Sequence, residues 1–496
     1  MTKTALISVT DKSKLADFAK KLADLGYEII STGGTHKELK AAGVKFLKKV
    51  EELTGFPEIM DGRVKTLHPK IFGGILADRS KANHLEQAKA NQIPLIDLVV
   101  CNLYNFSQRP GAENIDIGGV SLLRAAAKNF QDVLVICDPD DYEEALVKLD
   151  DLEFRKKMAQ KAFAHTAAYD KMIADYFGGG ESLNLSFEKV CDLRYGENPH
   201  QRAKLFRERG TAKTSGIIGA QVLHGKELSY NNILDADAAV NLIREFNGPA
   251  AAVIKHTNPC GAATDEDINQ AFIKAYAADS LSAFGGIIIL NRKCTQEIAG
   301  AINKVFAELV IAPDFEAEAL KILKQKKNIR LLKVQGTRNK EQGIKDYRKI
   351  IGGILEQDYD NSRIEEKDLK FVTQLKPSSE EIQDLLFAWA VAKHVKSNAV
   401  VFVKDKVTVG IGAGQMSRVD AVELAVKKAG QAEKLQGAVV ASDGFFPFRD
   451  SVDKLAGFAI KSIIQPGGSI KDEEVIQAAD EAGISMVFTG IRAFKH

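Results

Sequence analysis

The sequence predicts an α/β protein: a parallel-sheet domain followed by a larger α/β region. Three observations carry this. Short apolar runs alternate with helical periodicity through the first part of the chain. A triple glycine, Gly178-Gly179-Gly180, then breaks a long helical pattern. Beyond it a second series of strand and helix patterns begins.

Residues 4–9 read as a buried strand. Leu15, Phe18, Ala19, Leu22 and Leu25 follow at helical spacing, and Gly26 is a stop signal. Residues 27–31 form a second strand that leaves through the loop Thr32-Gly33-Gly34-Thr35 into a helix from His36. Residues 95–101 and 133–137 are further apolar runs, the second leading into Asp138-Pro139-Asp140 and a helix. Such a rhythm fits a parallel sheet with helices on both faces, whose ligands gather beyond the carboxyl ends of the strands. The helical pattern over 154–177 stops at the glycines, because three in a row lose too much backbone freedom inside an element. The boundary is placed near 178–190, giving domains 1–185 and 190–496. In the second, strands over 250–254, 286–290, 399–403 and 439–442 alternate with helices, and the length fits two lobes. The charged stretch 321–349 reads as a surface excursion or a lobe connection. No short-period repeat is visible.

Composition narrows the function classes. Of 496 residues, 45% are hydrophobic and 27% charged, the balance of a globular protein. With 68 basic and 66 acidic residues the net charge is only +2, so no long-range field draws in nucleic acid. A small phosphorylated ligand held by local groups fits better. Five scattered cysteines with no CxxC argue against a disulfide framework or structural zinc and for a reducing compartment. The apolar start is too short for a signal-peptide core, and no run approaches the ~18 residues that span a bilayer. The chain is therefore expected to be cytoplasmic, with no membrane partner.

Several motifs offer chemistry. The Thr32–Thr35 turn lets backbone N–H groups approach an anion, though an ordinary βα turn looks the same. The segment Gly62-Arg63-Val64-Lys65-Thr66-Leu67-His68-Pro69 adds cations in a tight loop, and Thr10-Asp11-Lys12 follows the first strand at the same edge. Together they point to a phosphate pocket. Tyr104 lies in a polar strand exit, Asp116 precedes the pair Gly118-Gly119, and Arg124 and Lys128 share a helix face four residues apart. In the second region Lys255-His256 at a strand end, before Thr257-Asn258-Pro259, forms a candidate acid–base pair. A zinc deaminase would need PCxxC here, but Ala263 stands at the second cysteine position. Gly410-Ile411-Gly412-Ala413-Gly414 lacks dinucleotide spacing and reads as a glycine-rich turn presenting Gln415, Ser417 and Arg418. Phe445, Phe446 and Phe448 offer a stacking surface or a core cluster.

Read together, STGGT, GRVKTLHP, CNLYNF, IDIGGVSLLRAAAKN, LRYGENPHQ, LSYNN, KHTNPCGAA, KSNAVVF, GIGAGQMSR, SDGFFPFRD and the terminal RAFKH resemble the bifunctional family of AICAR transformylase and IMP cyclohydrolase, along essentially the whole chain. The resemblance implies an N-terminal methylglyoxal-synthase-like α/β domain, then two cytidine-deaminase-like lobes without zinc. It implies formyl transfer from 10-formyltetrahydrofolate to AICAR, giving FAICAR, and closure of FAICAR to IMP. It further implies a homodimer and no catalytic metal, and leaves room for a bound monovalent cation. A phosphate lyase using the first domain alone would leave 190–496 unexplained.

Carried over by position, Lys12, Thr32, Thr35, Arg63 and Thr66 would hold the nucleotide phosphate. Lys65, Tyr104, Asp116 and Lys128 would serve ring closure. Lys255, His256 and Asn398 would serve formyl transfer. Arg194, Tyr195, Asn232, Gly285, Glu308, Arg418, Phe445, Pro447, Arg492 and His496 would line the nucleotide and folate surfaces. Glu308 stands where some members of the family have Asp.

Overall fold

The computed structural model describes residues 2–179, 183–209, 216–334 and 344–496. The chain divides into two units, Met1–Ser186 and Phe187–His496.

The first unit holds a five-stranded sheet of β1 (Lys3–Ser8), β2 (Tyr27–Ser31), β3 (Leu47–Lys49), β4 (Leu98–Cys101) and β5 (Leu134–Ile136). The order is β3-β2-β1-β4-β5 and every pairing is parallel. Leu6, Ile7, Ile29, Leu98 and Ile136 are fully buried, as residues covered on both faces must be. Because β1 lies between β2 and β4, sheet growth reverses there and leaves a crevice at the strands' carboxyl ends. The glycine motif differs from its sequence reading. The helix Gly33–Ala41 begins inside it, with Thr32 at the N-cap position. Glycine is tolerated there because first-turn N–H groups have no intrahelical acceptor to lose. The helix Leu152–Gly178 ends at a left-handed Gly179, φ 56°; Gly180 lies outside the described residues.

The second unit is built on a twelve-stranded sheet. Its centre is an antiparallel ribbon in the order Ala250–Lys255, Asn258–Thr264, Val407–Gly412, Val400–Lys404. Outward on one side run Ile287–Leu290, Leu309–Ala312, Arg330–Lys333 and Gln221–His224. On the other run Val439–Ser442, Ser462–Gln465, Ser485–Phe488 and Lys370–Phe371. Each half goes antiparallel, parallel, parallel, antiparallel in the same sequence. The helices before the two hairpins, Tyr230–Ile243 and Ser379–Ala392, are both 14 residues long. The offset between their starts also separates Lys255 from Lys404 and Gly261 from Gly410. The unit is an internal duplication whose period is too long, and whose identities are too few, to read from the sequence.

Two further sequence readings are corrected. The stretch 321–349 is not simply a surface excursion: it contains the buried strand Arg330–Lys333, with Leu331 and Leu332 fully covered, and residues 335–343 lie outside the described residues. Gly410 and Gly412 lie in a strand rather than in a donor-presenting turn. A Cβ at Gly412 would sit 1.9 Å from the Ala421 carbonyl oxygen, and one at Gly410 2.2 Å from that of Ala425. These glycines let the helix Arg418–Ala429 press onto the hairpin. Gly261 does the same against Ala275 in the other half, at 2.1 Å.

Candidate functional site

At the carboxyl edge of the first sheet the predicted segments meet. Asn102, just past β4, accepts the N–H groups of Thr10 and Asp11 at 2.6 and 3.0 Å and donates to the Asp11 carbonyl at 2.9 Å. It thus ties the β1 exit to the β4 exit across the crevice. The Thr35 hydroxyl bonds the Val9 backbone at 3.1 Å, and Thr32 and Ser8 share a 3.0 Å hydroxyl contact. Glu58 lies between the two loops: its carboxylate is 3.6 Å from a Cβ built at Gly33 and 2.5 Å from one built at Gly62. Lys65 Nζ is 3.8 Å from that second position, and Thr66 Oγ1 is 2.9 Å from a Cβ position at Gly118. The turns carrying Thr32, Lys65 and Gly118 therefore surround one space.

Asp116 stands in this group. It accepts the Gly119 N–H at 2.6 Å, and a Cβ at Gly119 would be 2.7 Å from its carboxylate. Burial pushes the Asp116 carboxyl above its ordinary value, while N–H donors from Gly119 and Tyr104 and the Lys65 ammonium pull the other way. Tyr104 is 42% exposed, open to a ligand. Arg63 pairs with exposed Glu113, and Lys12 lies 4.0 Å from Glu38. Such solvent-facing pairs are weak and exchange readily for an anion. Lys128 is not brought to this group. It closes the helix Gly118–Lys128, ten residues past Gly118, or about 15 Å along the axis. There the chain turns back toward the start of β5, the opposite edge of the sheet.

In the second unit Lys255 and His256 sit at the tip of the first hairpin. Lys255 pairs with Asn258, so His256 and Thr257 are the two central turn residues, with φ of 52° and 62°. Lys255 Nζ donates to the Phe284 carbonyl at 2.8 Å. Lys255 and His256 line a 340 Å³ cavity together with Asp279, Ser282 and Lys428. Other predicted residues adjoin this tip. Phe284 leads to Gly285, whose N–H bonds the Phe306 carbonyl, and Glu308 bonds back to Gly286. Glu308 accepts from Asn232 Nδ2 at 3.0 Å and lies 3.7 Å from Arg330. Arg194 stacks on Tyr195 at 4.8 Å, and both act electrostatically on Arg330. Arg330, and Asp235 beside the hairpin turn, are not legible as part of this neighbourhood from the sequence, where an isolated charge in an apolar pattern carries no sign of its partner.

A second cavity of 410 Å³ is lined by Asn398, Ser417, Arg418, Phe445, Pro447 and Phe494, among others. Asn398 Nδ2 donates to the Gln415 and Met416 carbonyls at 2.8 and 3.1 Å, so both of its N–H groups are engaged and its Oδ1 is left as an acceptor. Arg418 is buried and paired with fully buried Asp443, a contact that Ser397 also joins at 2.5 Å. Arg492 stacks on Phe494 at 4.6 Å, and His496 lies edge-on to the same ring at 6.0 Å. One bond, from Lys396 N–H to Asn258 Oδ1 at 2.9 Å, links this neighbourhood to the hairpin. Among the described residues no cluster of three His, Cys, Asp or Glu side chains is placed to hold a metal ion. Burial pushes the Cys260 thiol up to about 12, so it keeps its proton at neutral pH.

A parallel sheet whose carboxyl edge gathers Lys65, Thr66 and Asp116, followed by a duplicated α/β unit with a Lys–His hairpin, defines an α/β enzyme of two units. A family profile for the "MGS-like domain" matches residues 14–145, and one for the "AICARFT/IMPCHase bienzyme" matches residues 126–428. The chain is 50% identical over 518 residues to the bifunctional purine biosynthesis protein PurH of Acetivibrio thermocellus, covering all of both chains. It is 49% identical to that of Bacillus subtilis, covering all of this chain and 99% of the relative. The chain belongs to this PurH family of bifunctional AICAR formyltransferases and IMP cyclohydrolases of purine biosynthesis.

Proposed function

We propose that residues 190–496 transfer the formyl group of 10-formyltetrahydrofolate to AICAR, and that residues 1–185 close the resulting FAICAR to IMP with loss of water. The observation that carries this division is the placement of Lys255 and His256 on one cavity of the second unit, while Lys65, Thr66 and Asp116 gather in the first. In transfer, the AICAR amine attacks the formyl carbon and the bond to the folate nitrogen breaks. His256 takes the amine proton, and Lys255 gives a proton to the departing nitrogen. Its ammonium has three donors, of which Phe284 uses one. Each such proton transfer is typically worth ~10² to 10⁴ in rate. Asn398 polarises the formyl oxygen. Arg194, Tyr195, Asn232, Gly285, Glu308, Arg418, Phe445, Pro447, Arg492 and His496 line the nucleotide and folate surfaces.

In ring closure the carboxamide nitrogen attacks the formyl carbon, and water then leaves. Lys65 and the Tyr104 hydroxyl stabilise the developing oxyanion, and ionised Asp116 takes the nitrogen's proton. Lys12, Thr32, Thr35, Arg63 and Thr66 hold the phosphate. A direct role for Lys128 would require it to come from a second copy of the chain, in keeping with the homodimer proposed here. The same reading places the enzyme in the cytoplasm and allows a bound monovalent cation.

Exchanging His256 for Ala tests the division. Formyl transfer should fall by ~10² to 10⁴, leaving a measurable residual rate, while cyclisation of supplied FAICAR stays near the parent rate. Equal loss of both half-reactions in a folded protein would refute it.

A further inference from the structure

We propose that Asp235 is a positioning residue for formyl transfer, its carboxylate gripping the backbone N–H of Thr257 and so fixing the turn that carries the His256 imidazole at the cavity. This rests on the reading of His256 as the proton-transfer group. Two-residue hairpin turns with both central φ values positive strongly favour Asn-Gly or Gly-Gly, because a Cβ is disfavoured there. This turn instead carries His-Thr, both left-handed. Side chains of that size persist in such a conformation only where the surroundings over-determine it.

The surroundings do so here. Asp235, on the helix Tyr230–Ile243, accepts the Thr257 N–H at 2.6 Å. On the other side, the His256 carbonyl takes the Thr257 hydroxyl at 2.7 Å and Asn258 Nδ2 at 3.1 Å. Asn258 is itself held by Lys396. Asp235 is thus a side chain that secures the turn to the helix Tyr230–Ile243, while His256 lines the cavity. The Asp235 carboxyl is half-buried, and that burial pushes it above its ordinary value.

The duplication supplies an internal control. At the same offset, Asp384 on the helix Ser379–Ala392 accepts the Asp405 and Lys406 N–H groups at 2.8 and 2.7 Å. Those two residues form the tip of the other hairpin with φ of 52° and 56°. Both halves therefore use the same aspartate clamp, but only the first clamps a turn that carries a histidine. A purely structural clamp predicts equal consequences when either is weakened. A positioning clamp predicts a catalytic consequence at Asp235 alone.

The test uses the full chain with Asp235→Asn, Asp384→Asn, His256→Ala and the Asp235→Asn/His256→Ala pair. Folding of the second unit is followed through Trp389, the chain's single tryptophan, which is buried in the helix carrying Asp384. Asp235→Asn and Asp384→Asn should lower the thermal midpoint comparably. Asp235→Asn should lower kcat for formyl transfer at least tenfold at little-changed KM, with cyclisation of supplied FAICAR unaffected, whereas Asp384→Asn leaves both activities within twofold of the parent. In the His256→Ala background Asp235→Asn should cost no further activity, because it acts through His256. A transfer rate for Asp235→Asn equal to that of Asp384→Asn, or a full additional loss in the His256→Ala background, overturns the proposal. Loss of the folded Trp389 signal in Asp235→Asn alone also overturns it, assigning Asp235 to the fold. Normal transfer by His256→Ala would instead bring down the catalytic reading beneath it.

Discussion

Asp116 shows how one residue's surroundings set its chemistry. Burial raises its carboxyl above the ordinary value of 3.8, against the pull of two N–H donors and Lys65. The sign follows from linkage. A raised folded value means the native unit keeps a proton that the unfolded chain has released. Stability from this group is full below 3.8 and is lost as pH rises through the folded value. Catalysis runs the other way, because ring closure needs the ionised form. The acid limb of the cyclisation profile should therefore lie above 3.8, and Asp116→Asn should remove that limb while lowering the rate. A pH–rate profile with supplied FAICAR measures this, and a limb at or below 3.8 in the parent would take Asp116 out of the proton-transfer step.

At the scale of elements, the second unit depends on helices pressed onto hairpins through glycine. Gly412→Ala places a methyl group 1.9 Å from the Ala421 carbonyl oxygen, and overpacking of this kind costs about 1–3 kcal/mol. Gly300, in the helix Gln296–Asn303, has nothing within 4 Å of its Cβ position, so Gly300→Ala should stabilise by about 0.5–1 kcal/mol. Denaturant unfolding followed at Trp389 separates the two, and a neutral Gly412→Ala would mean that the helix can lift without penalty. These glycines also show where sequence reading stops. Apolar runs announce buried strands well: Tyr27–Ser31 and Val439–Ser442 are strands over the full span their patterns predict. A glycine pair looks the same whether it cradles a phosphate or receives a helix, so Gly410 and Gly412 were misplaced. The duplication was hidden because a buried strand constrains polarity and shape rather than identity; Ala-Ala-Ala-Val-Ile-Lys and Val-Val-Phe-Val-Lys do the same work. The tip Lys255-His256 is legible because it ends the apolar run 250–254, and Lys65 because Arg63, Lys65 and His68 crowd one short loop. Asp235, one acidic residue in a helical pattern, offered no such contrast.

For the whole molecule the question is whether the two chemistries are separable. The first unit has its own core, running from Ala5 through Tyr169, and its sheet is complete at β5. A domain with a closed core and no missing strand is expected to fold alone. The groups assigned to ring closure and phosphate binding, from Lys12 to Lys128, all lie within it. A fragment of residues 1–185 should therefore unfold cooperatively and convert supplied FAICAR to IMP, without formyl-transfer activity. Lys65→Ala in that fragment should slow cyclisation at least tenfold, equivalent to about 1.4 kcal/mol of barrier, because its ammonium is a positive charge acting on Asp116. If Lys128 acts from a second copy, activity per chain should fall as the fragment is diluted below its association range, whereas Lys65-dependent chemistry within one chain would not. A folded fragment that forms no IMP would mean that the second unit completes the first site, and an unchanged rate in Lys65→Ala would remove the assigned oxyanion stabiliser.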